Sequence, residues 1–93
     1  MSEPPRSLEI RRRRAIFRAG HRGTKELDLI LGRFAEACIE AMGEDQLSAF
    51  EEFLELPDPD IEQWVVHGAA DAPGGGVGAV VCHIRQFHHL EQA

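Results

Sequence analysis

Between Leu27 and Met42 the apolar residues fall with a single period. Leu27, Ile30, Leu31, Phe34, Ala35, Cys38 and Met42 stand at i, i+3, i+4, i+7, i+8, i+11 and i+15. That is the spacing of one continuous face on a helix of 3.6 residues per turn. Asp28, Gly32, Arg33, Glu36 and Glu40 fill the opposite face. Thr24 is placed to cap the first turn and Gly43 to end the last, so the spacing predicts a helix over 24–42. A helix with one apolar face has to cover it, and the flanking segments supply the cover.

From Glu44 to Leu56 the pattern repeats, with Leu47, Phe50, Phe53 and Leu54 inward. The stretch "LPDPD" breaks it: Pro57 stops the third helix, Asp58 is placed to cap a fourth, and Pro59 suits a first helical position. Ile61, Trp64 and Val65 give that helix a short stripe, closed by Gly68 after His67. Residues 68–76, "GAADAPGGG", have the composition of a flexible loop. Val77, Val80, Val81, Ile84, Phe87 and His88 then resume helical spacing. Valine also suits strands, but the intervals alternate three and four, not two. At the other end, Pro4 and Pro5 lie in a segment, 1–7, that reads as disordered. Ser7 is placed to cap a helix from Leu8 to Arg18, with Ile10, Ile16 and Phe17 as an uneven stripe, and Ala19-Gly20 ends it. With no strand signal and no repeat, the expected fold is all-α: one domain over 8–90, a compact bundle of five short helices. A chain of 93 residues buries only a modest core.

Hydrophobic residues make up 43% and charged residues 28% of the chain, a soluble globular composition. No apolar run approaches the roughly 18 residues that span a bilayer. The N-terminus has charge but no following apolar segment, unlike a secretory signal, and Glu3 and Glu9 argue against an organelle transit peptide. Two cysteines are too few for a disulfide framework, so a reducing cytoplasm is the expected compartment. The net charge of −6 is uneven: residues 1–25 hold eight of the ten cations and two of the sixteen carboxylates. A basic end on an acidic body suggests either an anionic partner surface or arginines paired with the domain's own carboxylates.

Catalytic and metal-binding patterns are absent from the spacing. Cys82-His83 and His88-His89 are adjacent pairs, whereas a helix groups ligands three or four apart. Cys38 lies on an apolar stripe and reads as a small core residue. "GGGVG" neither follows a strand nor opens a phosphate-binding helix. No triad or paired carboxylates suggest an enzyme, and no metal site is expected. The run Arg11–Arg14 raises an alternative, a small nucleic-acid-binding helical protein. The run lacks interleaved aromatics, and the acidic body repels a polyanion.

"HRGTKELD", residues 21–28, remains. If Arg22 and Glu26 are both helical, they share a face one turn apart. Gly23 between them then leaves a flat, side-chain-free spot where a partner backbone can approach, flanked by a cation and a carboxylate. Alternatively, Gly20 and Gly23 simply make the bend between two helices.

Arg22, Gly23 and Glu26, followed by "LDLIL", resemble the R-G-x-x-E signature of the SdhE family. The downstream segment "AFEEFLELPDPDIEQWVVHG" is similar to the family's acidic linker, with Asp58, Asp60 and Trp64 in order. Together these cover residues 10–68. His21 stands where the family usually has arginine or lysine. The resemblance implies a five-helix flavinylation and assembly factor. Its partner would be the flavoprotein subunit of succinate dehydrogenase and, in some bacteria, of fumarate reductase. It implies that the factor promotes covalent attachment of FAD to a histidine of that subunit, acting as a chaperone. FAD would belong to the client, with no cofactor held stably by the factor itself. It nominates Arg22, Gly23 and Glu26 as partner-binding, with Asp58 and Trp64 as further candidates. A cytoplasmic bacterial monomer forming a one-to-one complex is the default expectation.

Overall fold

The computed structural model describes residues 5–88, with side-chain burial from Ser7 onward. Five α-helices follow in chain order: α1 Pro5–Ala19, α2 Lys25–Cys38, α3 Glu44–Leu54, α4 Asp58–Val65 and α5 Gly75–Phe87. A single 3₁₀ turn, Ile39–Ala41, extends α2, and no strand forms among the described residues. The all-α expectation therefore holds. Residues 1–4 of the expected irregular N-terminus, and 89–90 at the end of the expected domain, lie outside the described residues.

The first helix departs from expectation at both its start and its inner face. It begins at Pro5, three residues before Leu8, because proline in a first turn forfeits no hydrogen bond and has the right φ already. Ser7 consequently sits inside the helix and caps nothing. The inner face is formed by Ala15 and Ala19, both essentially inaccessible. Short side chains bring α1 close to α2. At the crossing, a Cβ on Gly32 would lie 3.4 Å from the Cα of Gly20. With alanines at the contact, two bulkier residues are turned away, Ile10 at 47% and Phe17 at 61% exposure, while Leu8 and Ile16 pack at the edge of the core. The expected stripe Ile10–Ile16–Phe17 is thus corrected to Ala15–Ala19.

The other helices pack by the faces their periodicity predicts, except that Phe87, expected inward at the end of α5, is 39% exposed where the helix runs out past the core. Leu27, Leu31, Phe34 and Ala35 of α2 meet Leu47, Phe50, Phe53 and Leu54 of α3 in one cluster. The Phe34 and Phe50 rings meet edge to face at 5.8 Å. Ile61, Trp64 and Val65 of α4 and Val77, Val80, Val81 and Ile84 of α5 complete the core. Large apolar side chains buried in this way each contribute about 1.5–3 kcal/mol. No described polar or charged residue is fully buried.

At its end α2 tightens. The α-helix stops at Cys38, and Met42 N–H bonds to Ile39 O at 3.1 Å in the 3₁₀ turn. The tighter winding swings Ile39 into the core in place of Cys38, which is left half-buried. Burial pushes the Cys38 thiol above its ordinary pKa. Cys82 is exposed on α5. Native alkylation with iodoacetamide should therefore modify Cys82 first, with Cys38 about tenfold slower or more, since the thiolate is the nucleophile. Peptide mapping over a time course checks this, and equal rates would contradict the placement of Cys38.

Candidate functional site

Residues 21–28 build the α1–α2 turn from their own groups. Thr24, extended at φ −124° and ψ 141°, caps α2 as expected: its Oγ1 accepts the Leu27 N–H at 3.2 Å. The Asp28 carboxylate reaches back to accept the backbone N–H groups of Arg22 and of Gly23, the latter at 3.3 Å. Gly23 itself has φ +106°, and no atom lies within 4 Å of where its Cβ would stand. An L-residue is strained at that angle. The two readings of Gly23 are therefore both met: it makes the inter-helix bend, and it is an exposed notch.

Arg22 differs from expectation. It precedes α2, lies outside any helix, and turns away from Glu26 toward the α3–α4 turn. Its Nη1 donates to Leu54 O at 2.7 Å and its Nη2 to Leu56 O at 2.9 Å. Nε donates to Asp58 Oδ1 at 2.9 Å, and Nη2 lies 2.8 Å from the same oxygen. The carbonyl of Leu54 closes α3, where a helix leaves acceptors unpaired and favours a cation. A planar guanidinium can satisfy two carbonyls and a carboxylate at once, which a point-charge ammonium cannot. With the side chain only 11% exposed, Arg22 is a brace. It locks the Gly23 turn onto the start of α4.

Asp58 is corrected in the same way. Pro57 is the N-cap residue of α4 and Asp58 lies in the first turn, its carboxylate engaged by Arg22. Trp64 is buried at 9% exposure, and its Nε1–H donates to Asp71 Oδ1 at 3.2 Å. Its indole packs the core and offers little to a partner. Glu26 is exposed in the first turn of α2, where the helix dipole favours a carboxylate. Around the notch, Thr24 and Lys25 are exposed as well.

Half of the arginine run is spent internally. Arg11 bonds Glu51 at 2.8 and 3.1 Å, Glu44 at 3.2 Å and Ser48 at 3.0 Å. The hydrogen bonds that Arg11 donates to the Glu51 carboxylate hold its proton more firmly than usual. Arg12 donates to Met42 O at 2.9 Å, and Arg18 pairs with Glu55 at 2.9 Å. The basic end thus binds the acidic body, which takes Arg11 and Arg12, half of the run, out of any nucleic-acid contact.

A groove of about 630 Å³ lies between the end of α2, α3 and α5, with Phe34, Met42, Val80 and Phe87 in its walls. No described arginine or lysine is among its lining residues. Among the described residues no three His, Cys, Asp or Glu side chains are placed to hold a metal. No described helix is long and apolar enough to cross a membrane.

The chain is thus a small helical bundle whose Arg22–Asp58 contact holds an open glycine turn at the surface. Residues 13–88 match the family model Sdh5, described as the flavinator of succinate dehydrogenase, and the chain belongs to that family. It is 46% identical over 59 residues to the FAD assembly factor SdhE of Acetobacter pasteurianus, covering 63% of this chain and 54% of that protein. To the FAD assembly factor SdhE of Vibrio parahaemolyticus it is 37% identical over 68 residues, covering 70% and 79%. It is also 37% identical over 62 residues to the mitochondrial succinate dehydrogenase assembly factor 2 of Dictyostelium discoideum, covering 67% and 44%. The chain thus spans about half the length of several relatives it matches. No solved structure matches it. The resemblance to the SdhE family is borne out.

Sequence reasoning missed Asp28, assigned only to an outer helix face, and the outward turn of Phe17. The signal for Asp28 was a carboxylate one turn after a glycine bend. For Phe17 it was the small Ala15–Ala19 pair, which marks the closer-packing face.

Proposed function

We propose that the chain is an assembly factor that binds the flavoprotein subunit of succinate dehydrogenase and promotes covalent attachment of FAD to it, without catalysing that step itself. The observation that carries this reading is the family match across residues 13–88 together with an exposed Gly23 turn braced by Arg22. The partner-facing residues are Gly23 and Glu26, with Arg22 and Asp58 positioning the turn from behind. Attack of a client imidazole on a flavin ring depends on orientation, and orientation alone lowers such barriers greatly. A rigid bundle that binds the attack-ready arrangement of the client better than its other arrangements raises the population of that arrangement. FAD stays with the client, and the factor acts as a cytoplasmic monomer in a one-to-one complex. Fumarate reductase is a second client of the same chemistry.

Reconstitution tests the reading. Purified flavoprotein subunit and FAD are incubated with and without the chain, and covalent flavin is read by fluorescence after denaturing electrophoresis. Covalent flavin should accumulate faster with the chain present. Identical time courses would overturn the proposal.

A further inference from the structure

The arginine run is divided by the helix that carries it. Arg11 and Arg12 point inward onto α3 and the Met42 carbonyl. Arg13 and Arg14 are exposed, and neither has a hydrogen bond or ion pair among the described residues. They stand three and four residues after Ile10 and four and three before Phe17, so all four side chains share one face of α1. Both apolar members of that face are exposed. The Phe17 ring is held, not loose: it stacks on His21 with centroids 3.9 Å apart, and His21 Nδ1–H donates to the Phe17 carbonyl at 2.7 Å.

This face adjoins the Gly23 turn. Phe17 and His21 line one recess with Arg22 and Asp58. They also form one wall of a shallow groove of about 610 Å³, whose other wall carries Leu29, 53% exposed, and Arg33.

We propose that Ile10, Arg13, Arg14 and Phe17 form a second docking strip, continuous with the Gly23 turn, whose occupant is an acidic, partly apolar patch on the flavoprotein subunit. The inference rests on the function proposed above. Two arginines left unpaired among the described residues, on a chain of net charge −6, complement carboxylates on a partner. Apolar residues bracketing them at helical spacing are anchors that gain by desolvation. An aromatic already fixed by its own stack loses little entropy on docking. A polyanion fits the strip less well: Ile10 offers nothing to phosphate, and one face of the Phe17 ring is already covered.

The full chain is titrated against purified flavoprotein subunit by biolayer interferometry at low and high salt, beside R13E/R14E and F17A. The double reversal should weaken binding about thirtyfold at low salt and flatten the salt dependence, while F17A should cost about tenfold at both salts. Melting temperatures should stay within about 2 °C, because these side chains carry little internal structure. If reversal disturbs α1, R13Q/R14Q removes the charge and keeps the stems. Wild-type binding that R13E/R14E and F17A leave unchanged overturns the strip alone. Tighter wild-type binding to mixed-sequence RNA than to the flavoprotein subunit also overturns it. No binding by the wild-type chain overturns the proposed function together with the strip.

Discussion

Replacing Arg22 by alanine will lower the unfolding free energy by about 2–4 kcal/mol, since it breaks a largely buried ion pair and strips two carbonyls of a charged donor. For a domain of this size that is a fall in melting temperature of roughly 10–25 °C. The Leu54 and Leu56 carbonyls and the Asp58 carboxylate lose the donor that serves all three. Water replaces it imperfectly, because the side chain leaves a gap that is only 11% accessible. Lysine should recover less than half of the loss, as an ammonium cannot span the three acceptors in one plane. Calorimetry on R22A and R22K measures both numbers. An R22A melting temperature within about 2 °C of wild type would show that Arg22 does not brace the turn. Impaired client binding by R22A is then expected through loss of turn geometry, so it does not by itself identify Arg22 as a contact.

Gly23 allows a cleaner separation. Every L-residue placed at φ +106° pays a similar backbone penalty, about 1–2 kcal/mol. Because nothing lies within 4 Å of the Cβ position, the size of the side chain adds no internal clash. G23A and G23R should therefore melt within a degree or two of each other, both below wild type. Their affinities for the flavoprotein subunit should diverge: G23A within about fivefold of wild type, G23R weaker by about a hundredfold or more, because only arginine fills the notch a partner backbone would enter. Equal losses for the two variants would reduce Gly23 to a bend. The pair removes an ambiguity that the arginine substitution alone leaves open, since strain and obstruction then act together.

The contrast between these two residues shows what the sequence could and could not convey. Helix number and the α2, α3, α4 and α5 core faces follow from periodicity, because a 3.6-residue stripe can be buried in only one way. The Thr24 cap was equally plain, being local. What was not legible was any contact set by tertiary geometry. Arg22 and Glu26 are four apart, but Arg22 lies outside the helix, so sequence spacing had no bearing on its partner, which is Asp58 on another element. Ile10 and Phe17 look like core by hydrophobicity. They are exposed because α1 docks through Ala15 and Ala19, a choice made by backbone approach at Gly20 and Gly32. The arginine run read as one feature. The helix splits it into an inner half that holds the fold and an outer half that faces outward.

The central claim is that the α1–α2 turn faces the client. A photo-crosslinking residue placed at Lys25, exposed beside the notch, tests it, with Asp45 at the opposite end of α3 from the Arg22 brace as the control. Irradiation with the flavoprotein subunit should give crosslinked product from position 25 in clear excess over position 45. Product from position 45 with none from position 25 would contradict the account.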